Sequence, residues 1–341
     1  MAAVIDASID DAKLAEPAGS KRGRPRWLTA YLYILPALVI MLAVTYWPIL
    51  FQVYMSFTDY GLRNLRFDAP AANFVGIENY VNLITNQVAQ IANFNFWGML
   101  AFNLFWTFSN VIFHITIGIL IAVLLNAKGL WFRGVYRAIF VLPIVIPTLV
   151  VATVWRNMFD TDYGAINQGL AAIGGIFGMS PDVFHIRWID QVDPPVSWIP
   201  LPLSYFALLI TNIWLGWPFM TIIATGALQS ISKEYYEAAS IDGASARQQF
   251  FNITLPLLRP AMIPAAMYGM IVTFNLFNLI YMVSGGGPLR QTEILVTTAF
   301  RLVNENRLYG LAAAFGIYTM IILLVLTLLT NRITKATESY V

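Results

Sequence analysis

The residues best suited to chemistry in this chain lie close together between positions 229 and 260. Glu237 is followed by Ala238 and Ala239, and Gly243 stands four residues further on. Small residues let a second surface approach the backbone closely, and a glutamate offers a negative charge to a cation on that surface. The segment therefore has the chemistry of a docking surface, although the same composition would also suit an amphipathic linker lying on a membrane.

Local signals predict that this segment folds as two short helices joined by a turn. Ser232 is placed to cap the first helix, and Gly243 lies where a helix C-terminus accommodates a residue with positive φ. Ser245 and Gln248 have the S-x-x-Q spacing of a capping box, which predicts the start of the second helix. Pro256 is expected to end that helix before the next apolar stretch.

The sequence shows no arrangement of residues that is typical of catalysis or metal binding. It has no cysteine and only two histidines, His114 and His185, so thiolate sites are excluded and a His-rich metal site would need another chain. There is no G-x4-G-K-[ST] phosphate-binding loop and no evident Ser-His-Asp set. We therefore expect a non-catalytic chain that binds no cofactor or metal of its own.

The composition predicts a membrane protein. Hydrophobic residues make up 58% of the 341 residues and charged residues 11%, whereas soluble domains average about 45–50% and about 25%. A net charge of +2 gives no indication of nucleic-acid binding. A bilayer-spanning helix needs roughly 20 apolar residues. Six stretches meet this condition, near 30–56, 99–126, 137–158, 202–228, 261–284 and 308–331. The fold class is therefore predicted as all-α, with six transmembrane helices.

The distribution of positive charge predicts the orientation. Lys and Arg are concentrated in both tails and in the segments 127–136 and 229–260, so these parts are expected on the cytoplasmic side. The residues in question are Lys13, Lys21, Arg22, Arg24, Arg26, Lys128, Arg133, Arg137 at the edge of the 127–136 segment, Lys233, Arg247, Arg259, Arg332 and Lys335. The predicted organisation is thus a cytoplasmic tail at 1–29, a membrane domain at 30–331 and a second cytoplasmic tail at 332–341.

The segments 58–98 and 159–201 are then outer loops, and 232–256 is the cytoplasmic helical hairpin. Loops of such length are often functional, so an external protein is a plausible contact, although the loops could simply cover the helix ends. The one charge placed just inside a predicted span is Arg156, near the end of the third. Asn103 and His114 on the second span are interpreted as interhelical hydrogen-bonding groups.

The hairpin resembles the EAA motif of ABC importer permeases, because its residues have the spacing E-A-A-x3-G-x9-I-x-L-P from Glu237 to Pro256. In that family the segment forms coupling helices that lie in a cleft of the cytoplasmic ATPase, within the type I permease fold. The resemblance implies the following residues in ATPase coupling: Glu237, Ala238, Ala239, Asp242, Gly243, Ala244, Ile253, Leu255 and Pro256.

The likeness extends over nearly the whole chain to the carbohydrate-uptake branch of these permeases. The runs that carry it are F-V-G-I-E-N-Y at 74–80, the segment 124–147, G-G-G-P at 285–288, N-I-W-L-G-W-P-F-M at 212–220 and G-A-L-Q at 226–229. The last two are most similar to the larger membrane subunit of maltose and maltodextrin transporters.

That similarity implies sugar-contacting residues on two spans. These are Leu215, Gly216 and Phe219 on the fourth span and Gly269, Val272, Thr273 and Leu276 on the fifth. Phe219 stands where the maltose subunit has a tyrosine, and Thr273 and Leu276 stand where it has more polar residues. Asn275 and Asn278 occupy an adjacent face, where they could contact the substrate, a partner subunit or a neighbouring helix.

The function expected from this resemblance is ATP-driven, binding-protein-dependent import of a maltose- or maltodextrin-like sugar across a bacterial inner membrane. The implied partners are a second permease of different sequence, a cytoplasmic ABC ATPase dimer that holds ATP and Mg²⁺, an extracytoplasmic solute-binding protein, the sugar and membrane lipid. Two alternatives remain open at this point. One is the same class of transporter with glycerol 3-phosphate, a polyol or trehalose as solute, and the other is an ion-coupled secondary carrier.

Overall fold

The computed structural model describes residues 26–91, 94–127 and 129–334. The predicted tails at 1–29 and 332–341 fall almost entirely outside these ranges. The basic residues Lys13, Lys21, Arg22, Arg24, Lys128 and Lys335 are also outside them, so the orientation that they indicate stays a prediction.

Fourteen α-helices make up most of the described residues, which contain no strand and a single antiparallel bridge between Thr58 and Phe74. The helices are α1 Arg26–Met41, α2 Trp47–Ser56, α3 Glu78–Ile84, α4 Phe96–Asn126, α5 Arg133–Val145, α6 Thr148–Met158, α7 Ala165–Ile176, α8 Leu203–Ser230, α9 Lys233–Ile241, α10 Ala246–Gln249, α11 Leu255–Phe274, α12 Phe277–Val283, α13 Leu295–Asn304 and α14 Tyr309–Thr334. Helices α3 and α7 lie within the two predicted outer loops.

The chain divides into two units, Met1–Gln52 and Val53–Val341. The described part of the first unit is an apolar helix in which a π-helical turn, Leu42–Tyr46, separates α1 from α2. The second unit contains the remaining helices and the hydrophobic core.

Five helical segments of the described chain are long and apolar enough to cross a bilayer. They are Ala30–Ser56, Phe96–Asn126, Leu203–Ser230, Ala246–Phe274 and Tyr309–Arg332. Helices α5 and α6 form a sixth candidate, bent by 96° at its middle. The predicted span 137–158 is therefore not one straight helix. Ile146 is extended at the bend because it precedes Pro147, and a following proline disfavours the helical conformation.

The fifth predicted span, 261–284, differs from the structure at both ends. The helical path into it begins earlier in the chain, through a π-helical turn at Phe250–Thr254 that leads into α11. It is then interrupted after Phe274, and α12 resumes at Phe277. The interruption lies inside the predicted span 261–284 and at the end of the apolar segment Ala246–Phe274, and membrane proteins tolerate such non-helical backbone where other protein groups satisfy it.

Close packing of α4 against α8 and α11 forms the centre of the second unit. A Cβ atom at Gly118 on α4 would lie 2.5 Å from Cβ of Met220 on α8, so only glycine permits this approach of the two helices. Around it, Ala122 and Ala224 are fully buried together with Leu258 of α11. Small residues at a helix crossing allow van der Waals contact along the backbones, which drives helix association in lipid.

Candidate functional site

The first helix of the hairpin is fixed by its own ends. The Ser232 side chain accepts a hydrogen bond from the backbone N–H of Glu234 at 3.3 Å, as an N-cap residue does. At the other end Gly243 has a φ of +80°. Its N–H donates to Ser240 O at 3.1 Å, and the N–H of Ala244 donates to Ala239 O at 2.8 Å. These two bonds form a Schellman motif, so the predicted C-terminal glycine is confirmed.

The second helix begins with the predicted capping box. Gln248 N–H donates to Ser245 Oγ at 3.4 Å, and Ser245 N–H donates to Gln248 Oε1 at 2.8 Å. Two contacts then tie the arms of the hairpin together. Tyr236 and Thr254 share a hydroxyl–hydroxyl hydrogen bond of 2.9 Å, and Gln249 Nε2 donates to Ser240 Oγ at 3.0 Å. The hairpin is therefore a defined unit rather than an open linker.

Helix breaking by proline was wrongly expected here. Instead of ending the helical path, Pro256 is the second residue of α11, which continues to Phe274. The residues before it form the π-helical turn Phe250–Thr254. Ile253, Leu255 and Pro256 are half-buried, so they join the hairpin to the fifth span rather than form its outer surface.

The outer surface of the hairpin contains most of the predicted coupling residues. Glu237, Ala238, Asp242 and Gly243 are exposed, while Ala239 and Ala244 are half-buried against the turn. A Cβ atom built on Gly243 would meet no atom within 4 Å, so the space above it is open to another surface.

Three apolar side chains on the hairpin were not singled out from the sequence. Ile241 is 87% exposed, and Tyr235 and Phe251 are also more than half exposed. In each case, the hydrophobic residues of the helix did not indicate which of its faces would be exposed. Ile241 lies one helical turn after Glu237, so an exposed apolar side chain and an acidic group share one face of α9, as in a protein-binding patch.

The predicted sugar-contacting residues of the fourth span lie at its packed side. Gly216 faces His114 of α4, and a Cβ atom there would lie 2.2 Å from the imidazole. His114 Nε2 is 2.9 Å from the carbonyl oxygen of Asn212, so the interpretation of His114 as an interhelical hydrogen-bonding group is confirmed. Leu215 and Phe219 are half-buried, and the ring of Phe219 lies 5.5 Å from that of Tyr268 on α11.

The candidates on the fifth span are divided between buried and accessible positions. Gly269 lies against Met220, whose Cε would be 2.8 Å from an added Cβ, and Thr273 is only 3% exposed. Val272 is 42% exposed. Asn275 and Leu276 are half-buried, and both lie in the interruption between α11 and α12. Asn275 donates to Ile271 O at 3.1 Å.

Side chains of α4 hold the interruption in place. Asn103 donates through Nδ2 to Phe274 O at 3.2 Å and accepts from the backbone N–H of Leu295 at 2.9 Å. Trp106 Nε1 donates to Thr273 O at 3.2 Å. Both side chains are fully buried. They satisfy carbonyl groups that the end of α11 leaves without helical partners. The interhelical role expected for Asn103 is confirmed, but the interruption that requires it was not foreseen.

A compact turn follows α12. Arg156 donates to Met282 O at 3.1 Å, at the C-terminal end of that helix, where a cation is favoured. Gly286 has a φ of +80°, and a Cβ atom on it would lie 2.5 Å from Cγ of Glu293. Thr292 Oγ1 donates to Gly287 O at 2.7 Å. We call residues 273–301 the break segment. It runs from the end of α11 to Arg301, which donates a hydrogen bond to this turn.

Glu293 and Arg301 form the buried ion pair of the break segment. Arg301 Nε lies 2.6 Å from Glu293 Oε1, but the N–H bond is not aligned with that oxygen, so the contact is ionic rather than a hydrogen bond. Thr298 Oγ1 donates to Glu293 Oε2 at 2.8 Å, and Arg301 Nη2 donates to Gly285 O at 2.5 Å. Burial raises the pKa of Glu293 above its ordinary value, and Thr298 and Arg301 oppose that shift in part.

Within the described ranges, no group of three or more His, Cys, Asp or Glu residues could hold a metal ion. The exposed surface of the hairpin gives the site the chemistry of protein recognition. Its two parts, the hairpin and the interrupted fifth span, are joined covalently through α11.

Comparison with known proteins places this architecture in a family. Residues 114–339 match the family described as "Binding-protein-dependent transport system inner membrane component". The galactooligosaccharides transport system permease protein GanP of Bacillus subtilis is 33% identical over 310 residues, which cover 88% of this chain and 69% of that protein. The trehalose/maltose transport system permease protein MalF of Thermococcus litoralis is 33% identical over 304 residues, which cover 89% of this chain and 92% of that protein.

A solved structure supports the fold. The crystal structure of a bacterial ABC transporter involved in the import of the acidic polysaccharide alginate matches with a TM-score of 0.72 at 22% identity, covering 92% of this chain and 97% of that chain. The permease fold expected from the sequence is therefore confirmed. Because the family match covers more than half of the chain, this protein belongs to the inner membrane components of binding-protein-dependent transport systems. It is a multi-pass membrane permease subunit of the ABC importer class.

Proposed function

We propose that this chain forms part of the membrane path of an ATP-driven importer whose solute is a maltose- or maltodextrin-like di- or oligosaccharide. The observation that carries the proposal is the hairpin at 232–256, which is fixed by its own caps and exposes Glu237 and Gly243 in the pattern of the EAA motif. Relatives that transport galactooligosaccharides, and trehalose or maltose, support a sugar as the solute.

The hairpin is suited to move two spans because no flexible linker separates it from them. Only Ile231 and Ser232 stand between α8 and α9, and the π-helical turn Phe250–Thr254 runs directly into α11. A displacement of the hairpin is transmitted to both helices, and these carry the candidate sugar contacts at 215–219 and 269–273. In the proposed mechanism, an ATPase dimer closes on ATP and Mg²⁺, moves the hairpin and thereby changes which side of the path is open.

The proposal includes three partner proteins. The ATPase dimer binds the nucleotide and metal, so this chain needs no cofactor of its own. A second permease of different sequence completes the solute path, and an extracytoplasmic binding protein meets the loops at 58–98 and 159–201. Both termini then lie in the cytoplasm, on the side of the hairpin.

The test is reconstitution of the chain with its neighbouring permease, ATPase and binding protein in liposomes. ATP hydrolysis is measured against disaccharides, maltodextrins, monosaccharides, polyols and glycerol 3-phosphate. Stimulation by α-linked glucosides is the expected result. Stimulation only by a polyol or glycerol 3-phosphate would overturn the choice of sugar, and failure of any ATPase to assemble with the chain would overturn the importer itself.

Trehalose is the second candidate solute, because the Thermococcus litoralis relative transports trehalose as well as maltose. The same panel separates the two disaccharides. An ion-coupled carrier has less support, since such carriers usually need a carboxylate at membrane depth. Among the described residues, the five long apolar helical segments contain no Asp or Glu.

A further inference from the structure

Arg137 on α5 has a charged group with no partner in the described chain. Its Nε and Nη2 atoms are both buried, and neither makes a hydrogen bond. None of the ion pairs among the described residues includes it. Arg133, one helical turn earlier, also has a buried Nε without a partner, but its Nη2 donates to Asn126 Oδ1. Burying guanidinium nitrogens without an acceptor is unfavourable, so a ligand with negatively charged oxygens would lower the free energy of this site.

A cleft of about 310 Å³ opens beside this guanidinium, between α5 and the C-terminal half of α8. Thr225 and Gln229 of α8 contribute a hydroxyl and a carboxamide to its lining. Phe140 and Ile222 make other parts of the wall apolar. The cleft therefore combines one cation and neutral hydrogen-bonding groups with a hydrophobic surface, which matches a ligand that has an anionic head and an apolar body.

The surroundings of the cleft extend this apolar surface. On α5, Ile139 and Leu142 are each more than half exposed, and Ile222 on α8 is 46% exposed. Gln229 lies in the last turn of α8, which ends directly before the hairpin. The charged end of the cleft is thus at the end of the spans that carries the hairpin, where lipid headgroups meet a membrane protein. Basic pockets between transmembrane helices on the cytoplasmic side are suited to anionic headgroups.

We propose that this cleft binds the phosphate group of an anionic phospholipid, with Arg137 as the donor to its oxygens and the acyl chains along the apolar surface of α5 and α8. A lipid is preferred to soluble phosphate because phosphate alone would leave the apolar wall without a partner. The site does not depend on which solute the protein carries. Only the assignment of the leaflet as cytoplasmic rests on the proposed orientation.

The experiment is a binding titration on the purified full-length chain in detergent. Phosphatidylglycerol is the probe, phosphatidylcholine the uncharged-headgroup control and inorganic phosphate the soluble-anion control. Retained lipid is counted by native mass spectrometry, and the melting temperature is recorded in parallel. Phosphatidylglycerol is expected to bind and raise the melting temperature, whereas the two controls are not.

Arg137→Gln is expected to weaken phosphatidylglycerol binding about tenfold, because a charge-assisted hydrogen bond to phosphate is lost. The matched variant Arg133→Gln removes the same charge one turn away and should change binding by no more than about twofold, since Arg133 does not line the cleft. Gly226→Leu tests the site without altering its charge. A Cβ atom at Gly226 meets no atom within 4 Å, so leucine can fill the cleft without a clash and should also prevent binding.

Equal binding by wild type, Arg137→Gln and Gly226→Leu would overturn the proposal. Equal losses in Arg137→Gln and Arg133→Gln would show general surface attraction instead of a site. If inorganic phosphate stabilises the chain as well as the lipid does, and through Arg137, the ligand is a soluble anion. The titration is repeated on the chain assembled with its neighbouring permease. Loss of the lipid on assembly would assign the cleft to the subunit interface and overturn its assignment to lipid.

Discussion

The hairpin and the break segment are both irregular interruptions of a helical protein, but they are held in different ways. In the hairpin, the hydrogen bonds that set the helix ends join residues at most five positions apart, as in the Ser245–Gln248 box and the turn at Gly243. In the break segment, the stabilising groups come from distant helices, such as Asn103 bonding to Phe274 across 171 positions. A locally capped unit can move as a body, whereas a segment held by neighbouring helices keeps its shape only while those helices stay packed.

The largest effect is expected at Gly243, where Gly243→Leu should reduce solute-stimulated ATP hydrolysis and uptake more than about tenfold, which corresponds to a loss of about 1.4 kcal/mol in docking free energy. The added side chain enters space that is open within the chain, so folding should survive with a backbone strain of about 1–2 kcal/mol. Transport assays on the reconstituted complex measure the first effect and thermal unfolding the second.

Gly129→Leu is the matched control for that variant. Gly129 has a φ of +82° and also no atom within 4 Å of an added Cβ, but it lies between α4 and α5, outside the hairpin. It should carry the same strain and retain coupling. Equal loss of transport in both variants would mean that backbone strain, and not the docking surface, explains the effect of Gly243.

We expect α4 to affect the stability of the break segment more than the residues that the segment exposes. Asn103→Leu leaves Phe274 O and the N–H of Leu295 without partners, so we expect a destabilisation of about 2–3 kcal/mol. Asn110→Leu is the control. Asn110 is equally buried on the same helix, but its Nδ2 donates only to Trp106 O of its own helix, at 2.7 Å. Similar unfolding free energies for the two variants would argue against a special role for Asn103.

A pH dependence of stability is expected from Glu293, because burial raises the pKa of its carboxyl group in the folded protein. Folding then takes up protons, so the contribution of this group is greatest below its unfolded pKa and is lost as pH rises through the folded pKa. The slope cannot exceed about 1.4 kcal/mol per pH unit for one group. Thermal unfolding from pH 4 to pH 8 should show this loss in the wild type and not in Glu293→Gln.

Glu305→Gln serves as the control for Glu293, since Glu305 pairs with the same arginine at 3.1 Å but is 46% exposed. Its variant should keep the pH dependence of the wild type. If Glu293→Gln keeps that pH dependence too, the group that titrates is not Glu293. The carboxyl group of Glu293 then does not control the stability of the break segment.

The smallest effect is expected within the hairpin. Ser245→Ala removes the N-cap oxygen of α10 and should cost about 1 kcal/mol locally, which is about fivefold in the opening equilibrium. Amide hydrogen exchange at residues 246–249 measures it. Ser230→Ala is the control, because Ser230 Oγ donates to Ala227 O and caps no helix N-terminus. Unchanged exchange in Ser245→Ala would show that contacts such as Tyr236–Thr254 alone hold the hairpin.

The contrast between the two regions also explains what could be predicted from the sequence. Caps and turns depend on residues that are neighbours in the chain, so Ser232, Gly243 and Ser245 were assigned correctly. Pro256 was misjudged because the π-helical turn before it, Phe250–Thr254, leads the helical path directly into α11, and nothing in the local sequence indicated that turn. The bend before Pro147 also depends on residues that are neighbours in the chain. It was not predicted because 137–158 is one continuous apolar run.

By itself, the sequence determined the membrane class, the approximate places of the apolar stretches, the hairpin and the family, because each depends on composition or on short-range spacing. Only the tertiary structure decided where the fifth span is interrupted, which glycines face a neighbouring helix, and which hairpin side chains stay exposed. These features depend on contacts such as Gly216 with His114 and Asn103 with Phe274, between residues about a hundred or more positions apart. No local pattern encodes them, since the partner of each residue is set by how the helices pack.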